Sequence, residues 1–279
     1  MKSKDFQSFI EQLPTHESSL HLLDYASLFR LKLIHGFVGD IKNKTVLDLG
    51  CGNGSVSYLL WYLGAKVYGL DISKQALVGT RNLGNPKQAG NGFESELLQG
   101  DATRLPFQPE SFDLVFCIET LEHIQDDIAA VAEIEKVTKS GGTVVLAVPF
   151  NNRVAGDDGS LAQKYRYYST KTINGRLFSG QLRLTRVLFW FFPLLKLLEM
   201  LRVRSFFVVL GYLVDSSCNR GKLERVGTRG VLANSLTTFY NTRFWRKVAT
   251  PLLMHVLDFN MLFKNLPISD DVFLIYKKQ

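Results

Sequence analysis

The stretch VLDLGCGNGSVSYLL, residues 46–60, runs from an apolar segment into three alternating glycines, Gly50, Gly52 and Gly54, and then into a helical pattern. Glycines in a turn between a buried strand and a helix let a ligand come against the main chain and face the helix N-terminus. The spacing is GxGxG, because position 55 is Ser, so the dinucleotide fingerprint GxGxxG is not met. A second feature agrees with the first. VYGLDIS places Asp71 at the end of the next apolar run, 17 residues after Gly54. A carboxylate there can accept hydrogen bonds from both hydroxyls of a ribose, so the pair points to a ligand that contains a nucleoside.

Further along, ETLEH offers Glu119, Glu122 and His123 just past the fourth apolar run, at the edge where open α/β sheets bind ligands. His123 has two readings: a general base for an oxygen or nitrogen acceptor, or a packed and hydrogen-bonded structural residue. Glu119 reads as a pocket residue. The chain shows no HExxH, no serine nucleophile elbow and no zinc-type spacing, so no metal ligands are assigned. Cys51, Cys117 and Cys218 are far apart and form no CxxC, and the first residues are polar and charged. These features give the expectation of a reducing, cytoplasmic setting.

The elements that must hold these residues follow from periodicity. An amphipathic helical region covers about Leu20 to Val38, and strand-like apolar runs cover 45–49, 66–71, 95–99, 112–118 and 143–148, with helical patterns between them. Alternating strands and helices predict a doubly wound, mostly parallel sheet with helices on both faces. After Pro149 the rhythm changes, LRLTRVLF offers a sixth strand, and DDVFLIYKK returns to a strand pattern at the end.

With these features in place the sequence resembles the class I S-adenosylmethionine-dependent methyltransferases. LDLGCGNG looks like the first motif of that family, LDIS its acidic loop, GDATRLPF at 100–107 the segment after the third strand, FDLVFCIETLEHI at 112–124 the fourth strand and its turn, and SGGTVVLAVPF at 140–150 the fifth. The resemblance implies a Rossmann-like, seven-stranded, mostly parallel sheet whose last strand is antiparallel, with a helical insert. It also implies S-adenosyl-L-methionine as cofactor, bound by Asp48, Gly50, Cys51, Gly52, Asn53, Gly54, Asp71, Ile72, Ile118 and Glu119. Asp101 is implied at the adenine amino group and the Ala102 amide at the ring. In related enzymes the segment before the first strand lies over the cofactor, which implies contacts from Tyr25 and Arg30; the plain alternative is a helix packed on the sheet. Methyl transfer suits a site with neither metal nor nucleophile, since an activated donor needs only alignment with the acceptor and exclusion of water.

The resemblance divides the chain into a helical lid at 1–44, the cofactor-binding core at 45–150, an insert at 151–266 that includes the sixth strand, and the last strand at 267–279. Residues 151–266 hold 18 Lys and Arg against 6 Asp and Glu, while the remainder is net acidic. That block also contains WFFPLLKLLEMLRVRSFFVVLGYLVD, in which Pro193, Lys196, Glu199, Arg202 and Arg204 interrupt the apolar run too often for a transmembrane helix. Basic residues beside Phe and Leu favour an anionic membrane surface or a lipid-like acceptor over a plain helical cap. Tyr165, Tyr167 and Tyr168 either shape the acceptor pocket or pack beneath the insert.

The reading is therefore a cytoplasmic methyltransferase with peripheral contact at the cytoplasmic membrane face, acting on an oxygen of a hydrophobic or lipid-linked small molecule. Nucleic acid is disfavoured, because CIETLEH stands where base-methylating enzymes carry an Asn/Asp-Pro-Pro-Tyr/Phe sequence. The alternatives are a nucleic-acid or protein methyltransferase and an inactive, nucleoside-binding regulatory subunit.

Overall fold

In the computed structural model the described residues are 36–83, 95–150, 168, 180–190 and 271–279. They belong to one unit of the chain, formed by residues 33–191 and 263–279. Seven strands make one sheet: β1 (Thr45–Leu49), β2 (Lys66–Asp71), β3 (Ser95–Gln99), β4 (Phe112–Ile118), β5 (Thr138–Pro149), β6 (Leu182–Trp190) and β7 (Asp271–Lys278). Their order is β3-β2-β1-β4-β5-β7-β6. The pairs β1/β2, β2/β3, β1/β4 and β4/β5 are parallel, whereas β7 is antiparallel to both β5 and β6. The expected seven-stranded Rossmann-like sheet with an antiparallel last strand is thus present. Strand order reverses between β1 and β4, which opens a crevice at their carboxyl ends.

Burial explains why these segments are strands. Val46, Leu47, Leu49, Val115, Phe116, Val144 and Leu146 are all buried, as near-continuous apolar strands must be when both faces of a parallel sheet are covered. Each such side chain stabilises the fold by roughly 1.5–3 kcal/mol relative to exposure. Helix α1 (Ser55–Tyr62) follows β1, α2 (Lys74–Leu83) follows β2, and α3 (Asp127–Val137) precedes β5. In α3 the buried residues Ala130, Val131, Ile134 and Val137 form one stripe at helical spacing, and Asp126 caps the start by accepting the Ala129 amide at 3.0 Å.

Three details differ from the sequence expectation. The β3–β4 connection, residues 100–111, carries turns rather than a helix, since Pro106 and Pro109 break so short a segment. Strand β5 begins at Thr138 rather than 143, because Thr138 pairs with Phe112 before the register shifts ahead of Leu114. Gly141 (φ 73°) and Gly142 lie in that early part and make it read as a turn. Strand β6 matches LRLTRVLF with Trp190 added. Of the expected helix over 20–38 only the last residues are described, and most of 151–266 lies outside the described residues.

Candidate cofactor site

The glycine turn departs from β1 with three left-handed residues, Gly50 (φ 71°), Gly52 (φ 54°) and Gly54 (φ 81°). The Gly50 and Cys51 amides both donate to the Leu70 carbonyl, at 2.7 and 3.1 Å, so the chain doubles back over the end of β2. Gly54 is the N-cap of α1, and its carbonyl accepts the Tyr58 amide at 2.9 Å. A Cβ on Gly50 would collide with the Thr120 side chain. Over Gly52, among the described residues, the first atom a Cβ would meet is the Gly50 carbonyl oxygen at 4.0 Å. One glycine is therefore required by packing against Thr120, and over the next no described side chain lies within 4 Å of a Cβ.

Four loops are joined into a single rim. The Gly52 amide donates to Asp71 Oδ2 at 2.8 Å, and the Ser73 amide donates to Asp71 Oδ1 at 2.8 Å. The Gly100 amide donates to the Asp71 carbonyl at 3.1 Å, and Gln99 Nε2 donates to the Ile72 carbonyl at 3.1 Å. On the other side, the Thr120 hydroxyl donates to the Ile118 carbonyl at 2.9 Å and lies 3.4 Å from that of Leu49. The rim thus runs through the ends of β3, β2, β1 and β4 in their spatial order.

This arrangement brings most of the expected residues to one sheet edge. Asp71 accepts one amide on each oxygen, and a carboxylate offers about four acceptor sites, so two are left for a pair of ribose hydroxyls. Ile72 beside it is 71% exposed, an apolar surface suited to a flat heterocycle. Asp101 is exposed; its Oδ1 accepts the Thr103 amide at 2.8 Å and the Thr103 hydroxyl at 2.9 Å, which fixes the carboxylate and leaves Oδ2. Ala102 is half-buried and Ile118 buried. Asn53 is exposed and accepts the Ser55 amide and hydroxyl, at 3.3 and 2.7 Å.

Asp48 has a different station. It is 2% exposed and accepts the Ser57 hydroxyl at 2.6 Å, which ties β1 to α1 beneath the glycine turn. Cys51 is buried against Gly69, whose missing side chain leaves room for its sulfur. Burial pushes the Cys51 thiol far up, and the Asp48 and Asp71 carboxylates push it further, so it stays neutral and lines the turn without acting as a nucleophile.

Glu119 follows β4 in the left-handed region, with φ 51°, and its amide donates to the Ala147 carbonyl at 2.9 Å. A side chain in that conformation costs about 1–2 kcal/mol. The turn it makes lays Thr120 under Gly50. Leu121–His123 then form a short 3-10 helix, in which the His123 side chain is 28% exposed and its Nε2 lies 3.9 Å from Oε1 of the fully buried Glu122. Tyr168, one of three tyrosines considered for the acceptor pocket, is fully buried beneath this turn. Tyr165, Tyr167, Tyr25 and Arg30 lie outside the described residues. Ser57, Gly69, Gln99 and Thr120 support the rim, yet the sequence alone singles out none of them. Their only signal is nearness to the motifs, because each acts through a tertiary contact.

The strand order and the glycine turn between β1 and α1, with Asp71 and Asp101 at the neighbouring strand ends, define an α/β domain of the doubly wound class. Residues 47–146 match the family model described as a methyltransferase domain. Over these residues the chain is similar to methyltransferase domains. The chain is 34% identical over 116 residues to the ubiquinone biosynthesis O-methyltransferase of Nitrosomonas europaea, a match that covers 41% of this chain and 48% of that protein. It therefore spans about half the length of the curated relatives it matches. Among solved structures, an S-adenosylmethionine-dependent methyltransferase from Mesorhizobium loti aligns over 91% of this chain and 100% of its own, with TM-score 0.54 and 14% identity. The [4+2]-cyclase SpnF aligns over 91% of this chain and 81% of its own, with TM-score 0.54 and 15% identity. At these identities the two structures speak for the fold alone.

Proposed function

We propose that this chain transfers a methyl group from S-adenosyl-L-methionine to an oxygen of a hydrophobic or lipid-linked small molecule. The observation that carries this reading is the joined rim, in which Asp71 anchors the glycine turn while keeping acceptor sites for a ribose. When bound, the cofactor supplies a methyl group on a cationic sulfur, ready for in-line displacement. The residues of the chain have simpler tasks. Asp71 and Asp101 hold and orient the nucleoside, and Gly52 lets it lie against the backbone. We assign the proton from an acceptor hydroxyl to His123, whose partial exposure just past β4 supports the assignment.

The acceptor class draws support from the ubiquinone O-methyltransferases and from the insert. A basic excess of 18 Lys and Arg over 6 Asp and Glu in 151–266, mixed with apolar runs, suits an amphiphilic acceptor or an anionic membrane surface. Among the described residues, no helix is long and apolar enough to cross a membrane. A cytoplasmic protein that meets the membrane from the side fits these features.

Calorimetric titration with S-adenosylmethionine, S-adenosylhomocysteine and NAD tests the cofactor. Binding of the first two and not of NAD is expected, and failure of both would defeat the proposal. Transfer of a labelled methyl group to a polyprenylated catechol, set against a water-soluble catechol, tests the acceptor class. A second reading, a nucleoside-binding protein without methyl transfer, is kept because a cyclase shares the fold. Cofactor binding with no labelled product from any catechol favours it. For the membrane contact, sedimentation with anionic vesicles should be salt-sensitive, and neutral vesicles should carry down none of the protein. Equal indifference to both kinds would return the insert to a cap.

A further inference from the structure

Tyr168 is fully buried, and the described residues it bonds lie far from it in sequence. Its amide donates to the Pro149 carbonyl at 3.0 Å, and it forms a parallel bridge with Phe150, which places it beside the carboxyl end of β5. Its hydroxyl donates to Asp127 Oδ2 at 3.1 Å and lies 3.3 Å from the Leu121 carbonyl. Asp127 is 1% exposed in the first turn of α3, where the helix dipole favours its negative charge. The phenol therefore clamps both ends of the segment that carries His123.

From there the contacts continue to the cofactor edge. The His123 amide donates to the Thr120 carbonyl at 3.0 Å, and the Ile124 amide to that of Leu121 at 3.2 Å. The Thr120 side chain fills the space that the missing Gly50 Cβ leaves. A packed interior transmits such displacements, since few gaps exist to absorb them. We propose that Tyr168 is a positioning residue, whose hydroxyl lets the chain beyond β5 set the 120–123 turn and, through Thr120, the glycine turn. Its consequence for cofactor affinity rests on the methyltransferase reading above; its mechanical part does not.

Amide hydrogen exchange on the ligand-free chain tests the mechanical part. Tyr168→Phe removes one oxygen and keeps the ring, so exchange should accelerate about tenfold over residues 119–124 and 50–54 and stay unchanged over β2 and β7. Asp127→Asn, which removes the charge and keeps the size, should give the same pattern. Even loss of protection across the whole sheet, or an unchanged glycine turn in both variants, overturns the proposal and leaves Tyr168 a core residue. In parallel, the affinity of Tyr168→Phe for S-adenosylhomocysteine should fall about two- to thirtyfold. A lowered melting temperature at undiminished affinity would also overturn it. If the unaltered chain fails to bind S-adenosylhomocysteine, the cofactor reading falls while the exchange pattern still decides the role of Tyr168.

Discussion

The backbone amide of Gly52 donates to Asp71 Oδ2 at 2.8 Å, so the acid at the end of β2 holds the glycine turn at the end of β1. The same carboxylate takes the Ser73 amide on its other oxygen, which fixes its plane. An acid expected to bind a ribose thus also holds the glycine turn in place.

Asp71→Ala should weaken S-adenosylmethionine binding by about 1.5–3 kcal/mol, the range for hydrogen bonds to a charged group. Calorimetry on the variant gives the value directly. An affinity within about twofold of the unaltered chain would remove Asp71 from the ribose site.

Gly50→Ala meets two obstacles, a left-handed backbone at φ 71° and the Thr120 side chain. The dihedral part costs about 1–2 kcal/mol, and the collision adds to it. Denaturant midpoints can separate the two. When Thr120→Gly is already present, adding Gly50→Ala should cost only the dihedral part.

Glu119→Gly relieves the left-handed strain of about 1–2 kcal/mol but raises the entropy of the unfolded chain by part of that amount. A net gain in stability of up to about 1 kcal/mol is expected, together with weaker S-adenosylhomocysteine binding. A variant less stable than the parent would show that the Glu119 side chain contributes more to the fold than its backbone costs.

Asp113 gives a pH-dependent prediction. Burial pushes its carboxyl up, but the Thr45 amide at 2.9 Å and Lys139 Nζ at 3.1 Å outweigh that, and it stands below the usual aspartate range. A carboxyl lowered on folding stabilises the native state above its unfolded pKa, about 3.9, and the contribution is lost as pH falls through the folded value. Asp113→Asn should therefore be less stable than the parent at neutral pH, and the gap should close in acid. A gap that persists unchanged at pH values below about 2 would assign the loss to packing.

Much of the fold is legible in the chain because its signals are local. Strands β1 and β4 fall where the apolar runs lie, since central strands covered on both faces demand near-continuous apolar residues, whereas the edge strand β3 is marked only by Leu97 and Leu98. The antiparallel β7 and the sixth strand are likewise marked by short alternating or apolar runs. The start of β5 is not, because two glycines read as a turn until the pairing of Thr138 with Phe112 is known. Among the site residues, Gly50, Gly52, Gly54 and Asp71 announce themselves by type and spacing, for a close backbone approach admits few other residues.

The sequence by itself determined the parallel α/β class, the glycine turn and the acids that follow the second and third strands, for each is written in neighbouring residues. Tertiary structure decided how those parts serve one another. It sent Asp48 inward to Ser57, gave Asp71 a second task at Gly52, set Thr120 beneath Gly50, and buried Tyr168 against Asp127. These contacts join residues brought together by strand order and crossovers, and pairing across that distance leaves no local pattern of charge or hydrophobicity to read.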